Sequence, residues 1–336
     1  MSNKKLPIET PNTLFGRYLY PTAKDIMEKQ QDIFWTAKEI NISKDINDYR
    51  QSMSKEQYEL VTFTLQLFVE IEQKVGEVWE TIAKWFPHSE IEGACSQMAA
   101  MEKSVHAFFY QKMSDELNID PEITAHNQQV VSVLKNKLEF LTNITKNLDE
   151  NKPLSLATVA LIEQVLLFSN FAMLKSFQAN GHNLITNTIT GVDFVIQDEQ
   201  LHGVFASYLH NTYVEEAGVN FYWIEHISNV QRLVEEVIAH EDAVINYLFE
   251  DTDSINDITA DQLKAFIRSR ANKVLIDLNI SPYYTVENNP IADWFYKGAS
   301  SIKMHDFFVS GTNSYRRGWS LDRLSRLPNI KESSNE

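Results

Sequence analysis

Cysteine is nearly absent from this chain: Cys95 is the only one in 336 residues. That excludes an intramolecular disulfide and any thiolate-built zinc site within one chain, and it fits a reducing, cytoplasmic setting. Glycine and proline are scarce, 10 and 9, and alternating strand-like runs are hard to find, so an all-α chain is expected. Positive charge is short as well. Thirty Lys and Arg against 46 Asp and Glu leave a formal net charge of −16, which argues against a nucleic-acid groove binder, since neutralising phosphates needs clustered cations. No apolar run is read as approaching the roughly 18 residues of a membrane span. The opening MSNKKLPIETPN lacks the apolar core of a signal peptide. Neither nucleic acid nor membrane is expected as a partner, and no internal repeat or low-complexity tract is found.

What is present is apolar helix. Hydrophobic residues make up 43% of the chain and aromatic ones 11%, enough for a large core. Residues 1–20 read as an irregular arm. A short helix follows Pro21, and Asn41 to Tyr49 reads as a connector. Ser54 to Gln57 forms a capping-box pattern that opens a helix running to Pro87. Further helices are predicted through ACSQMAAMEKSVHAFFYQKM, over about 122–147, from Pro153 to Gly181, through FVIQDEQLHGVFASYL, and around 220–249 and 260–278. The organisation expected is an arm at 1–20, a helical domain at 21–315 and a mobile tail at 316–336.

Four of these helices carry carboxylates inside apolar runs, where an unpaired charge costs a few kcal/mol. Glu72 lies in LQLFVEIEQKV and Glu163 in ALIEQVLLF; Glu102 accompanies His106 in MEKSVHAFFY, and Glu199 accompanies His202 in IQDEQLH. Dimetal bundles of the ferritin-like class take one Glu from each of two helices and a Glu-x-x-His pair from each of the other two. Carboxylates bridge and neutralise two cations, and imidazole fills a further position on each without adding charge. One such pair is weak evidence, because chance yields about one acid-x-x-His in this composition. The order Glu, Glu/His, Glu, Glu/His on separate apolar helices is what singles the set out. Glu122/His126 and Glu236/His240 share the i,i+4 spacing and are read as solvated helix faces. Taken singly, His106 and His202 would be read as hydrogen-bonded core histidines; for Glu72 or Glu163 a helix-surface carboxylate is the lesser alternative, because the flanks are apolar at most neighbouring positions.

These segments together resemble the small subunit of class I ribonucleotide reductases. FWTAKEINISKD at 34–45, LFVEIEQKVGE, MEKSVHAFFY, IEQVLLFSNFA and QDEQLH follow the family's order, and the similarity spans roughly residues 30 to 320. The resemblance implies a ferritin-like four-helix core with additional helices and a dinuclear metal centre held by Glu72, Glu102, His106, Glu163, Glu199 and His202. It implies a tyrosyl radical at Tyr110, one turn beyond His106, inside an apolar sleeve formed by Phe171, Leu167 and Val195. Trp35, Asp198 and His106 resemble the hydrogen-bonded chain that leads out of such a site. Tyr315, in DFFVSGTNSYRRG, resembles the tail tyrosine that passes the radical between subunits. The partners implied are a large subunit bearing the catalytic cysteine and a second copy of this chain in a homodimer. The compartment implied is the cytoplasm, or the host cytoplasm if a virus encodes the chain. Iron in both positions is the first expectation for the metal, with manganese–iron and dimanganese as alternatives.

Two departures from the pattern stand out. Lys103, not an acid, stands three residues before His106, and Glu102 stands four before. Either a one-residue π-bulge brings Glu102 to the metal, or a lysine occupies the second-ligand position and the radical is a metal-independent modified tyrosine. The first ligand is Glu72 where many members carry Asp, which weakens any inference to iron over manganese. The tail is also less acidic than expected for docking to a large subunit, although Trp319, Leu321, Leu324 and Leu327 are available as anchors. Rival functions are a dimetal oxidase of the same fold acting on a small ligand, and a ferritin-like metal-binding protein.

Overall fold

The structure, a computed structural model, describes residues 5–12, 16–218, 221–286 and 289–299. Among these residues the regular structure is helical, apart from one isolated bridge between Ile255 and Ile258. Four helical rods build the core. α1 (Pro21–Asp32) leads to the first rod, α2 (Lys55–Ile82). Ser54 caps α2 as its sequence predicts: Gln57 N–H donates to the Ser54 hydroxyl, and Ser54 N–H donates to the Gln57 side chain. The second rod is α3 (Ser89–Met101), a π-helical turn at Glu102–His106, and α4 (Ala107–Leu117). Asn118, in the left-handed region at φ 55°, ends it. The third rod repeats that design, with α7 (Lys152–Leu161), a π-turn at Ile162–Leu166, and α8 (Phe168–Lys175). The fourth is the unbroken α9 (Thr186–Ala217). Between the second and third rods lie α5 (Pro121–Val130) and α6 (Ser132–Asn147). α10 (Trp223–Leu248), α11 (Ala260–Asp277) and α12 (Pro290–Ala299) complete the described chain.

α2 packs on α3, α4 and the first π-turn, and α9 packs on α7, α8 and the second. α10 and α11 press on the Ile162–Leu166 turn from outside. This is the all-α chain that the composition predicts, in the ferritin-like bundle with additional helices that the resemblance implies.

Several expectations need correction. The single polar helix expected over 122–147 is two helices, because Val131 is extended at φ −79°, ψ 109°. The break lets Asn127 and Gln128 of α5 hydrogen-bond to Gln66 of α2 while α6 turns Leu134, Phe140 and Leu141 inward. The arm is irregular but anchored: Ile8 N–H and the Tyr20 hydroxyl donate to opposite oxygens of Glu216, each at 2.7 Å. Finally, Lys152–Gln178 is long and apolar enough to cross a membrane, with a mean hydropathy of 1.6 over its most apolar window. That window is entirely buried in the protein. A rod apolar on every face is what a central helix requires, since other helices cover it all round.

Candidate metal centre

Glu72 comes from α2, Glu102 and His106 from the first π-turn, Glu163 from the second, and Glu199 and His202 from α9. All six are at most 2% exposed. Their donor atoms form two overlapping sets, Glu72/Glu102/His106/Glu199 and Glu102/Glu163/Glu199/His202, the atoms of each lying within 4.8 Å of one another. Glu102 and Glu199 belong to both. His106 Nδ1 lies 3.2 Å from Glu102 Oε2, 3.2 Å from Glu199 Oε1 and 3.5 Å from Glu72 Oε2. His202 Nδ1 lies 2.7 Å from Glu102 Oε1 and 3.6 Å from Glu163 Oε2.

The π-turn answers the question that Lys103 raises. A π-turn holds more residues per turn than an α-helix, so Glu102 and His106, four apart, reach one side as Glu199 and His202 do at three apart on α9. Lys103 is thereby directed away. Its stem lies over Gly76, where a Cβ would fall 2.6 Å from Lys103 Cγ, and its ammonium pairs with Glu80 at 2.7 Å.

The donor set fits a pair of divalent cations. Both oxygens of Glu72, one oxygen each of Glu102, Glu163 and Glu199, and His202 Nδ1 are buried without a hydrogen-bond partner. Each such atom carries a desolvation cost of about 1–3 kcal/mol that an unfilled bond leaves uncompensated. Burial, and then the Glu102 charge, push Glu72 well above the usual carboxylate range. Burial, and then Glu102 and Glu163, do the same to Glu199. On Glu102, burial acts upward, but His106, His202 and Glu72 outweigh it and hold its pKa down. Burial acts downward on both histidines and is outweighed by the carboxylates, so His106 is raised well above its ordinary value and His202 to about 10. Four carboxylates gathered here without cations must share protons; two divalent cations remove that need.

The outer faces of the ligands are fixed as well. Asp198 Oδ2 accepts from Trp35 Nε1 at 2.8 Å and faces His106 Nε2 at 3.0 Å. Gln30 Nε2 donates to Asp198 Oδ1 at 3.0 Å, and Gln30 Oε1 meets His202 Nε2 at 3.1 Å. Oxygen acceptors opposite both Nε2 atoms place the ring protons there and leave both Nδ1 atoms for a metal. Trp79 Nε1 donates to Glu163 Oε1 at 2.5 Å. The sequence reading missed Gln30 and Trp79. Each had a signal: Gln30 shares the buried face of α1 with Ala23 and Ile26, and Trp79 stands two turns beyond Glu72 on α2.

Tyr110 is fully buried and its hydroxyl has no hydrogen-bond partner. Burial, and then Glu72, raise its pKa well above the ordinary phenol value. Phe68 meets its ring edge-on at 4.9 Å, and Phe109 lies at 5.1 Å. Phe171 packs on Phe68 at 5.2 Å, one ring removed from Tyr110. Phe171, Leu167 and Val195 are all buried. Trp35 stacks near His106 at 6.0 Å and is 3% exposed, while its neighbour Phe34 is 42% exposed. Tyr315 and the 316–336 tail lie outside the described residues. Of the pairs set aside, Glu122 and His126 are exposed, as expected. His240 is not simply solvated: it packs on Phe140 at 4.6 Å, and burial, then Lys137, lower it to about 4.

Comparison with known proteins agrees with this geometry. Residues 14–290 match the family described as ribonucleotide reductase, small chain. A probable ribonucleoside-diphosphate reductase small subunit of Invertebrate iridescent virus 3 is 23% identical, over 91% of this chain and 84% of that protein. The ribonucleoside-diphosphate reductase subunit beta of Bacillus subtilis is 26% identical, over 84% of this chain and 85% of its own length. Among solved structures, the dimanganese(II)-NrdF of Streptococcus sanguinis superposes with a TM-score of 0.73 at 20% identity, covering 84% of this chain and 98% of that one. The R2 subunit of Clostridium botulinum gives a TM-score of 0.76 at 16% identity, covering 86% and 91%. The match over most of the chain, on a fold that gathers four carboxylates and two imidazoles beside a buried phenol, places this chain in the ribonucleotide reductase small-chain family.

Proposed function

We propose that this chain is the radical-generating subunit of a class I ribonucleotide reductase, with Tyr110 as the radical residue. The observation that carries the reading is the pair of four-donor sets sharing Glu102 and Glu199 beside a dry, unpartnered phenol. Glu72 and His106 would hold one cation, Glu163 and His202 the other, and Glu102 and Glu199 would bridge them. When bound, the metal pair supplies the oxidising power to remove one electron from the phenol.

The protein's own share is positioning, proton control and exclusion of water. Burial, and then Glu72, favour the protonated Tyr110 phenol, so the group presented for oxidation is the neutral phenol. Phe68, Phe109 and, behind them, Phe171 keep water and reductants from the oxidised ring. Asp198 holds Trp35 and His106 in one hydrogen-bonded chain, and Trp35 is the exit toward the surface. From there the hole passes to Tyr315 and to a cysteine of a separate large subunit, where the ribose 2′-hydroxyl is replaced by hydrogen. The chain works as a homodimer in the cytoplasm, with iron in both positions as the first expectation and manganese–iron or dimanganese as the alternatives.

The test is electron paramagnetic resonance after adding Fe(II), or Mn(II) with Fe(II), and oxygen. A tyrosyl or mixed-metal signal supports the reading; a protein that takes up no metal removes it. Truncation before Arg316 should leave radical formation intact and abolish turnover with the large subunit, and sedimentation should give twice the chain mass.

A further inference from the structure

The third rod is broken where it carries Glu163, and each loose end of the break is taken by a buried charged side chain. Lys137 of α6 donates from Nζ to the Leu166 carbonyl at 2.5 Å and pairs with Glu241 of α10 at 2.6 Å. Glu241 Oε2 accepts the Ser169 N–H at 3.1 Å on the other side of the break. Arg270 of α11 donates from Nε to the Gln164 carbonyl at 2.8 Å, with its guanidinium 3.6 Å above the Phe168 ring and Nη1 bonded to the Tyr296 hydroxyl at 3.0 Å. Lys137, Glu241 and Arg270 are at most 2% exposed. A π-turn leaves backbone groups without their i→i+4 partners, and buried ones must be satisfied elsewhere. An ion pair that bridges N–H and C=O across the break does more than satisfy them. It ties the last residue of the π-turn to the first turn of α8.

We propose that Lys137, Glu241 and Arg270 are positioning residues for Glu163: a buried ionic staple that sets the second metal site by holding the π-turn open. The inference rests on Glu163 being a metal ligand. The staple makes no hydrogen bond or ion pair with the side chains of the six ligands or with Tyr110; it acts through the backbone.

The decisive experiment is Mn(II) titration of the metal-free full-length protein, with free Mn(II) read by its paramagnetic resonance signal. The wild type should take up two ions per chain. The double variant Lys137→Met/Glu241→Met removes both charges together, so neither is left buried alone, and a thermal melt checks that it folds without the bonds to the Leu166 carbonyl and the Ser169 N–H. It should keep one ion near wild-type affinity and bind the second about 10–100-fold more weakly. Arg270→Met should weaken the same site, and Arg270→Lys, which keeps one donor, should restore part of it. In a Glu163→Ala background the double variant should cause no further loss.

Two ions bound at wild-type affinity by the double variant would overturn the proposal. So would an equal further loss in the Glu163→Ala background, which would mean general loosening. A wild type that binds no Mn(II) would instead sink the dimetal reading on which the inference stands.

Discussion

Glu102 and His106 are separated by one residue more than the usual Glu-x-x-His spacing, yet Glu102 Oε2 and His106 Nδ1 stand 3.2 Å apart because the turn between them is π-helical. The inserted residue puts Lys103 outside, over Gly76 and against Glu80. Glu102→Ala should therefore abolish tight binding of both ions, since its two oxygens serve both donor sets. Lys103→Ala should leave binding of two Mn(II) unchanged and cost within about 1 kcal/mol, as a half-exposed ion pair contributes little. Metal titration and thermal melting check both; metal loss in the lysine variant would contradict the geometry.

Tyr110→Phe deletes a hydroxyl that has no partner. Stability should change by within about 1 kcal/mol, and uptake of two ions should persist. The tyrosyl signal after oxygen exposure should vanish. Survival of that signal would move the radical to another residue.

Asp198→Asn places an amide opposite His106 Nε2 and Trp35 Nε1, both of which face the present carboxylate. His106 and Trp35 share Oδ2, so the amide either keeps its oxygen there and turns its –NH2 against the Gln30 Nε2 donor, or loses both bonds, and in either orientation the anionic acceptor is gone. Metal affinity at the His106 site should fall about 10–100-fold. Trp35→Phe should leave metal and the Tyr110 radical in place and remove turnover with the large subunit. Loss of the radical itself in that variant would show that Trp35 serves the formation step.

Metal binding should release protons. Burial and then Glu102 raise Glu72, and burial with Glu102 and Glu163 raises Glu199. Against burial, the carboxylates raise His106 and bring His202 to about 10. His202, at about 10, holds a proton at pH 7 in the metal-free protein, and the upward shifts of the other three favour their protonated forms, so a cation must displace protons as it binds. Affinity should rise with pH, by roughly tenfold per pH unit for each proton released. Calorimetry in buffers of different ionisation enthalpy measures the number; zero release at pH 7 would refute the assignment.

His210 and His226 meet through their Nε2 atoms at 2.8 Å, and burial holds both near 4, below the ordinary 6.5. Between those values the unfolded chain binds protons that the folded one does not. Stability of the metal-free protein should therefore fall as pH drops from about 6.5 toward 4. The urea midpoint followed against pH should show that slope in the wild type and a shallower one in His226→Phe. An unchanged slope would place the titration elsewhere.

The helices, and the six candidate ligands on four of them, were legible in the sequence because burying a carboxylate or imidazole in an apolar helix demands compensation, and the apolar flanks of Glu72 and Glu163 advertise that demand along the chain. The family resemblance adds roles to those positions. Hidden from the sequence was everything decided by contact between distant segments. Val131 ends a helix that its residues favour, because α5 docks on Gln66. Gln30 joins Asp198 to His202 although its own neighbours in sequence say only that it faces inward. Nothing in the local sequence around Lys137, Glu241 and Arg270 marks them as buried. They become buried only because α6, α10 and α11 converge on a broken turn whose backbone groups have no partners of their own. Local periodicity determines which face of a helix is apolar; which polar atoms meet inside, and at what angle a broken rod presents its carboxylate, follows from the packing of the whole bundle.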